Sequence, residues 1–337
     1  MALACGVSVA TVSRVVRDHP DVRAETRERV RQIIQDMGYR PSPAARALVS
    51  GRQWAIGLLV SDIANPFYPQ LAKSVERETR KFGCVVVMCS TEDDVREAKR
   101  STQRLLEQGV EGIIHASAGN DEEAVLALVG NPNRIVFANR RPRTPGCNYV
   151  VSDNVAGAAE LTRHLLAAGH RRIGFINGPS YASNAVERLQ GFITALEDVP
   201  DAEPVVIEGG MTYESGLRAA ETWLRVPGRP TAIIGANDSI ALGAMEAILK
   251  AGLSVPGDIA VAGFDDIQLA SSYVISLTSV AQHIDQMARR SVRILMGMLE
   301  DPTRKKVVQE VIQPTLLVRR STSAPALAAP PRTLIRA

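Results

Sequence analysis

The sequence predicts an α/β protein, with a small all-α segment at its N-terminus followed by a two-lobed core of doubly wound parallel sheets. Three observations support this prediction. The chain has 337 residues, 45% of them hydrophobic and 22% charged, and is too long for one compact core. From about Trp54 onward, short apolar runs alternate with amphipathic stretches. Residues 1–52 lack that alternation and carry a net charge of +4, whereas residues 53–337 carry −1.

Eight apolar runs predict the strands of the sheets: residues 55–60, 84–88, 112–115, 135–138, 172–176, 205–207, 231–234 and 259–264. Helix-length segments lie between most of them, and several end in a glycine, such as Gly83, Gly109 and Gly169. Strands that alternate with helices form βαβ units, which indicates parallel sheets with helices on both faces. A series of about 270 residues favours two such sheets over one.

The first 50 residues predict three short helices instead. Val30, Ile33 and Ile34 fall on one face of a helix. Before it, a helix over residues 9–17 follows a turn in which the Ser8 hydroxyl can cap the first helical turn. Two helices joined by a glycine-containing turn, then a third, in a basic segment, form the pattern of a helix-turn-helix DNA-binding module. On this pattern alone, a solvated helical hairpin remains the alternative.

Several function classes are disfavoured. No run of 18 or more apolar residues occurs, so we expect no membrane partner. The four cysteines have neither metal-ligand spacing nor the density of a disulfide scaffold, which indicates thiols in the reducing cytoplasm. No histidine spacing suggests a metal or a catalytic triad. No Gly-x-Gly-x-x-Gly follows the first strand, which disfavours a dinucleotide-dependent enzyme. We therefore expect a protein that is not an enzyme and has no cofactor and no metal.

Residues 5–16, CGVSVATVSRVV, closely resemble the headpiece of the LacI/GalR family of bacterial transcriptional regulators. Further matching strings follow in order: TR at 26–27, GYRPS at 38–42, NPF at 65–67, GHRRI at 169–173, RLQGF at 188–192, AND at 236–238 and GFDD at 263–266. The resemblance covers residues 1–321. It implies a homodimer whose two headpieces bind near-palindromic double-stranded operator DNA. It also implies a core like that of periplasmic sugar-binding proteins, with two lobes, three crossing strands and a ligand cleft between the lobes.

On this resemblance the chain divides into five parts: a headpiece (1–41), a hinge helix or linker (42–53), an N-terminal lobe (54–152 plus 282–311), a C-terminal lobe (153–281 plus 312–321) and a disordered tail (322–337). Family members carry further residues before the position of Met1. Either the natural start lies upstream, or the first helix is short and the headpiece weakened. The tail has no leucine heptad that would indicate a tetramer.

The resemblance places the second helix of the headpiece in the major groove, with Val9 and Ala10 at base edges. Arg14 is the expected base reader, because arginine can bond bidentately to guanine, whereas valine and alanine offer only apolar contact to a thymine methyl. Three hydroxyls are expected at phosphates, those of Ser8, Thr11 and Ser13. For Thr11 and Ser13, plain helix surface or local capping is the alternative.

The hinge helix is expected to fold in the minor groove as a pair. Ala45 is small enough to let two such helices approach closely. Leu48 occupies the position at which the family inserts an apolar wedge between central base pairs, which kinks the DNA.

Polar side chains follow the carboxyl ends of the predicted strands, where open α/β sheets bind ligands. The expected ligand-binding set joins carboxylate, amide, guanidinium and aromatic groups: Asp62, Asn65, Phe67, Tyr68, Arg140, Arg188, Asn237, Phe264, Asp265 and Gln282. Such groups suit the paired hydroxyls and apolar face of a sugar. Arg188 matches the ligand-binding arginine of the family. A surface salt bridge is its alternative, and helix capping is the alternative for Asp62 and Asp238.

The leading hypothesis is a DNA-binding transcriptional regulator, expected to be a repressor, whose operator affinity is controlled by a small ligand between the lobes. The expected ligand is a sugar or a sugar derivative. The alternative is a sugar-binding protein without DNA-binding activity.

Overall fold

The computed structural model describes residues 2–16, 20–37, 55–197, 199–301, 303 and 306–323, without the side chains of Ser13 and Val16. The chain forms two compact units, Met1–Gln53 and Trp54–Ala337, and each is described by itself. The predicted α/β class is confirmed, with an all-α unit ahead of two parallel-dominated sheets. Among the described helices, none is both long and apolar enough to cross a membrane.

Within its described residues, the first unit contains three helices, α1 (Ala2–Cys5), α2 (Val9–Val16) and α3 (Ala24–Asp36). They pack around a small apolar cluster of Cys5, Val12, Val15, Val22 and Val30. Helix α2 begins where the sequence predicts and is described to residue 16, one residue short of the predicted end. The hinge segment, with Ala45 and Leu48, lies outside the described residues.

The turn between α1 and α2 explains how these two short helices are held. Gly6 has a φ of +62°, a left-handed conformation that favours glycine. Ser8 Oγ accepts a hydrogen bond from the Thr11 backbone N at 3.1 Å, so Ser8 caps α2 as predicted. Helix α3 has Arg23 at its N-cap position and receives no side-chain cap.

The second unit holds two six-stranded sheets. The first has the order β11-β5-β4-β3-β1-β2 and contains β1 (Ala55–Val60), β2 (Val85–Ser90), β3 (Gly112–His115), β4 (Ile135–Ala138), β5 (Tyr149–Ser152) and β11 (Gln309–Ile312). The second has the order β12-β10-β9-β8-β6-β7 and contains β6 (Arg172–Asn177), β7 (Glu203–Glu208), β8 (Ala232–Gly235), β9 (Ala260–Asp265), β10 (Thr278–Ala281) and β12 (Thr315–Leu317). All neighbouring strands run parallel except β10 and β12.

In the described part of the second unit, eight long helices accompany the sheets. Those of the first lobe are α4 (Phe67–Thr79), α5 (Val95–Glu107), α6 (Glu122–Val129) and α11 (Ile284–Glu300). Those of the second lobe are α7 (Asn154–Ala167), α8 (Ser183–Glu197), α9 (Tyr213–Leu224) and α10 (Asp238–Lys250). The central strands are buried on both faces, as the continuous apolar run of β1 predicts.

Two glycines let α9 and α10 pack unusually close together. A Cβ on Gly216 would lie 2.0 Å from the carbonyl oxygen of Ile240, and a Cβ on Gly243 would lie 2.0 Å from that of Tyr213. Since both obstacles are backbone atoms, no side-chain adjustment can make room for a larger residue. The close contact of these helices therefore depends on glycine at both positions.

The chain passes between the two lobes three times: before α7, between β10 and α11, and between β11 and β12. These are the three crossing strands that the family resemblance implies. The predicted start of a disordered tail at residue 322 is wrong. Thr322 is 4% exposed, and its hydroxyl hydrogen-bonds with His164 Nε2 at 2.8 Å and with Thr278 Oγ1 at 2.7 Å. Residues 324–337 lie outside the described part of the chain.

Candidate functional site

A cavity of about 410 Å³ lies at the carboxyl ends of the strands, between the two lobes, and is within the usual size range of small-molecule sites. Both lobes contribute side chains. Its lining consists of Ser61, Asp62, Asn65, Phe67, Tyr68, Glu92, Asp93, Asn139, Arg140, Pro179, Tyr181, Asn184, Arg188, Gly210, Met211, Thr212, Asn237 and Asp265.

Eight of the ten predicted ligand residues line this cavity: Asp62, Asn65, Phe67, Tyr68, Arg140, Arg188, Asn237 and Asp265. The aromatic pair within this set is buried and packs edge to face, with ring centroids 5.2 Å apart. The structure therefore brings together groups from the ends of β1, β4, β8 and β9 and from α8. Their ligand contacts remain a prediction.

The structure places the other two predicted residues behind the cavity wall. Phe264 is 2% exposed, and the guanidinium of Arg188 lies 3.8 Å from its ring centroid, so its expected stacking against a sugar is corrected to stacking against Arg188. Gln282 is 1% exposed and donates from Nε2 to Asp265 Oδ1 at 2.6 Å. Both residues support cavity side chains and do not line the cavity themselves.

Arg188 is 1% exposed, so the surface salt bridge considered as its alternative is wrong. Its Nε donates to Asn154 Oδ1 at 2.9 Å, and its Nη1 donates to the carbonyl oxygen of Ala236 at 2.6 Å. Nη1 also lies 3.3 Å from Asp265 Oδ1. Among the described residues, Nη2 has no hydrogen-bond partner. Burial lowers the pKa of Arg188, and the nearby carboxylates of Asp265 and Asp238 act in the opposite direction.

Asp265 is the buried carboxyl that faces Arg188. Burial raises its pKa to about 6, although Arg188 and the hydrogen bond from Gln282 favour the charged form. The group therefore changes charge close to physiological pH. Its backbone φ of +115° is in the left-handed region, a strained conformation of the kind found at ligand sites.

Helix capping does not explain the acidic residues at the strand ends. Asp62 Oδ1 accepts from the Ala64 backbone N at 2.8 Å, which fixes the loop ahead of α4. Asn237, not Asp238, caps α10 by accepting from the Ile240 N at 2.8 Å. The Asp238 carboxylate accepts instead from Ser279 Oγ and the Ile267 N. Burial raises the pKa of Asp238 well above its usual value.

Arg140 is 1% exposed and forms a two-point ion pair that the sequence did not reveal. Its Nη1 and Nη2 donate to the two carboxylate oxygens of Asp93, at 2.6 and 3.1 Å. Nη1 also donates to the carbonyl oxygen of Ser117 at 3.2 Å. Burial opposes the charge of Arg140, but the charges of Tyr68 and Asp93 outweigh it and raise the pKa. Burial and the nearby Asp93 carboxylate raise the pKa of Tyr181, which lines the cavity from the other lobe.

Polar contacts also join the lobes at the rim of the cavity. The backbone N of Arg141 donates to Ser183 Oγ at 2.7 Å, and its Nε donates to Glu187 Oε1 at 3.0 Å. The other carboxylate oxygen of Glu187 accepts from Asn154 Nδ2 at 2.8 Å. These bonds connect the end of β4 with α8, so a change in the angle between the lobes would have to break or lengthen them.

The predicted DNA contacts of the described headpiece are Ser8, directly before α2, and Val9, Ala10, Thr11, Ser13 and Arg14 along that helix. Val9 is 75% exposed. Ser8, Ala10 and Arg14 are also exposed, while Thr11 is partly buried and its hydroxyl bonds with that of Ser8 at 2.9 Å. For Thr11, the local capping alternative is therefore present in the structure. The side chain of Ser13 is not described.

Ser117, His115 and Asp121 form an arrangement that histidine spacing did not suggest. His115 Nδ1 lies 3.4 Å from Ser117 Oγ, and His115 Nε2 lies 3.1 Å from Asp121 Oδ2. The order matches that of a hydrolase triad, but His115 and Ser117 are 0% and 2% exposed, so no substrate can reach them. Within the described residues, no cluster of three or more His, Cys, Asp or Glu side chains could hold a metal ion.

Comparison with known proteins agrees with this architecture. Residues 1–42 match the family model of bacterial regulatory proteins of the lacI family, and residues 162–322 match that of the periplasmic binding protein-like domain. The HTH-type transcriptional regulator DegA of Bacillus subtilis is 34% identical over 329 residues, which cover 96% of this chain and 97% of DegA.

Solved structures show the same relationship. The lac repressor dimer bound to operator and the anti-inducer ONPF superimposes with a TM-score of 0.82 at 31% identity, covering 96% of this chain and 98% of that one. The transcriptional regulator CelR in complex with cellobiose has a TM-score of 0.72 at 31% identity, covering 95% and 98%. The fold and the cavity thus define a DNA-binding regulator with a periplasmic-binding-protein-like core. The chain belongs to the LacI family of bacterial transcriptional regulators.

Proposed function

We propose that the protein is a homodimeric repressor whose affinity for a near-palindromic operator is controlled by a carbohydrate bound in the cavity between the lobes. The observation that carries the proposal is the cavity itself. It joins carboxylate, amide and guanidinium groups with the aromatic rings of Phe67 and Tyr68, a combination suited to sugar hydroxyls and a sugar face. The complex of CelR with cellobiose supports this choice of ligand class.

Control of DNA binding requires that the ligand have different affinities for two arrangements of the lobes, and the coupling is then reciprocal. The cavity is lined from both lobes, and the bonds of Arg141 to Ser183 and Glu187 cross between them. A ligand in the cavity therefore acts where the angle between the lobes is set.

An exposed apolar surface supports a dimer. Tyr273 and Val274 are 85% and 87% exposed, and Leu269, close by in sequence, is 50% exposed. Water contact with such a surface is unfavourable, and a second copy of the chain would remove it. The lac repressor structure that this chain resembles is a dimer on operator DNA.

One experiment with two variants tests the proposal. In mobility shifts on DNA from the region upstream of the protein's own gene, Arg14→Ala should relax sequence preference and cost about 1–3 kcal/mol at one base pair. Arg188→Ala should retain operator binding but lose the response to a sugar found by thermal-shift screening. The two losses are separable because one variant lies in each compact unit.

Three outcomes would contradict the proposal or its parts. Absence of sequence-specific binding by the unaltered chain would refute the repressor. An equal loss on every DNA sequence would make Arg14 a phosphate contact. Unchanged sugar affinity of Arg188→Ala in calorimetry would remove Arg188 from the ligand site. If the chain binds the sugar but no DNA, the alternative hypothesis of a sugar-binding protein without DNA-binding activity is supported instead.

A further inference from the structure

We propose that the ligand of this cavity is an uncharged polyol, and that Asp93 makes the cavity reject phosphates and carboxylates. The inference rests on the proposed function and narrows its ligand class. Two buried arginines in a cavity would ordinarily indicate an anionic ligand, such as a sugar phosphate or a sugar acid. The surroundings of each arginine argue against that interpretation.

Asp93 already occupies the anion-binding face of Arg140. The two nitrogens that could hold a phosphate or carboxylate bidentately both bind the Asp93 carboxylate, at 2.6 and 3.1 Å. An incoming anion would have to displace a carboxylate that is part of the protein, and would meet its charge at close range.

The positive charge of Arg188 and two of its donors are satisfied by a different set of groups. Its Nη1 lies 3.3 Å from Asp265 Oδ1, and two of its donors are used by Asn154 and the Ala236 carbonyl. A hydroxyl can bridge Arg188 and Asp265 by accepting from one and donating to the other, whereas a phosphate would be repelled by Asp265.

The cavity as a whole carries an excess of negative charge. Four carboxylates line it, those of Asp62, Glu92, Asp93 and Asp265, against two guanidinium groups. Within the described part of the chain, no basic side chain forms an ion pair with Asp62 or Glu92. Since like charges facing each other disfavour binding strongly, the lining selects against anions.

The polar atoms left without partners suit neutral hydroxyls. Arg188 Nη2 and Arg140 Nε are buried donors, and Asn139 Oδ1 is a buried acceptor, with no hydrogen-bond partner among the described residues. A hydroxyl group can serve as donor or acceptor to either kind of atom, which a fully ionised phosphate cannot do.

The test compares binding of inorganic phosphate to three full-length proteins by calorimetry at constant ionic strength: the unaltered chain, Asp93→Asn and Glu97→Gln. Asn suits the left-handed backbone at position 93, where φ is +55°, so the fold should persist, and a melting curve checks it. Glu97→Gln, on α5 outside the cavity lining, removes the same charge and serves as the control. Freed from Asp93, Arg140 should bind phosphate at least about tenfold more tightly than in the unaltered chain or the control.

Two outcomes overturn the inference. Phosphate binding by the unaltered chain as tight as by Asp93→Asn would show that the cavity does not reject anions. Failure of Asp93→Asn to bind phosphate more tightly than Glu97→Gln would remove Asp93 from this role.

A second experiment measures the binding of two neutral sugars and their matched anions. D-ribose is compared with ribose 5-phosphate, and cellobiose is compared with cellobionate. In the unaltered chain, each anion should bind at least about tenfold more weakly than its neutral parent, and tighter binding of an anion also overturns the inference. Neither experiment uses DNA. A result against the inference therefore leaves the repressor proposal standing, whereas absence of operator binding refutes the repressor without altering the phosphate result.

Discussion

At the scale of single residues, we predict that Asp265 makes ligand binding depend on pH. Its pKa of about 6 means that the carboxylate accepts hydrogen bonds above pH 6 and is protonated below it. We expect affinity for the bound sugar to fall as the pH decreases through about 6, since each pH unit below the pKa reduces the ionised fraction about tenfold. Titration calorimetry between about pH 5 and 8 measures this, and Asp265→Asn should give a flat profile.

The stability of the ligand-free protein should change in the opposite direction. Because burial raises the pKa of Asp265 above its ordinary 3.8, ionisation is harder in the folded state than in the unfolded state. Its contribution to the free energy of unfolding is therefore full below about pH 4 and is lost as the pH rises through about 6. The prediction for affinity has its own contradicting outcome. If sugar affinity has the same pH profile in Asp265→Asn as in the unaltered chain, another group causes the pH dependence.

The sequence predicts a cavity residue only where a local pattern, such as the end of an apolar run, fixes the position of that residue. Asp62, Asn65 and Asn237 follow strands that the apolar runs predict, so the sequence predicts these strand ends and these cavity residues together. Asp93 was missed because the run of acids at 92–94 resembles a helix start, and Asp94 is indeed the cap of α5, accepting from the Arg96 and Glu97 backbone N atoms. The partnership of Asp93 with Arg140 spans 47 residues, which no local pattern reveals.

At the scale of secondary-structure elements, the eight predicted strands are all present, and β5, β10, β11 and β12 are additional. The additional strands have only three or four residues, and all four lie at or next to a sheet edge. β3, β4 and β8 are equally short but consist largely of apolar residues, whereas β10 and β11 are half polar, so no apolar run marks them. Their strand conformation comes from partners far along the chain, as where β11 adds to β5.

The close contact between α9 and α10 predicts that a larger residue at Gly216 destabilises the protein. Gly216→Ala would place a Cβ 2.0 Å from the Ile240 carbonyl oxygen, so the helices must separate. We expect a loss of about 1–3 kcal/mol in the free energy of unfolding, typical of overpacking. Chemical denaturation of the full chain measures it. Gly209→Ala is the matched control, because its Cβ would meet Ser215 Cβ at 3.4 Å, an ordinary contact. Equal midpoints for the two variants would show that the helices adjust without cost.

At the scale of the whole molecule, the two parts of the chain differ in net charge. The net +4 of residues 1–52 and the −1 of residues 53–337 distinguish a basic DNA-binding unit from a slightly acidic periplasmic-binding-protein-like core. A dimer would present twice that positive charge to an operator, and counterion release would make its affinity depend strongly on salt. The net charge of the whole chain is small and does not show this difference between its parts.

The surface formed by Leu269, Tyr273 and Val274 should hold that dimer together. Val274→Asp places a charge on a residue that is 87% exposed, so folding of the chain itself should be unaffected, whereas a buried charge would oppose association of two copies. Sedimentation should show the monomer. Binding to a two-half-site operator should weaken by at least about tenfold, because joint binding of two linked headpieces is lost, while sugar binding persists. Val226→Asp, at a 49% exposed position elsewhere on the core, controls for charge alone. A Val274→Asp protein that remains dimeric would place the dimer contact on another face.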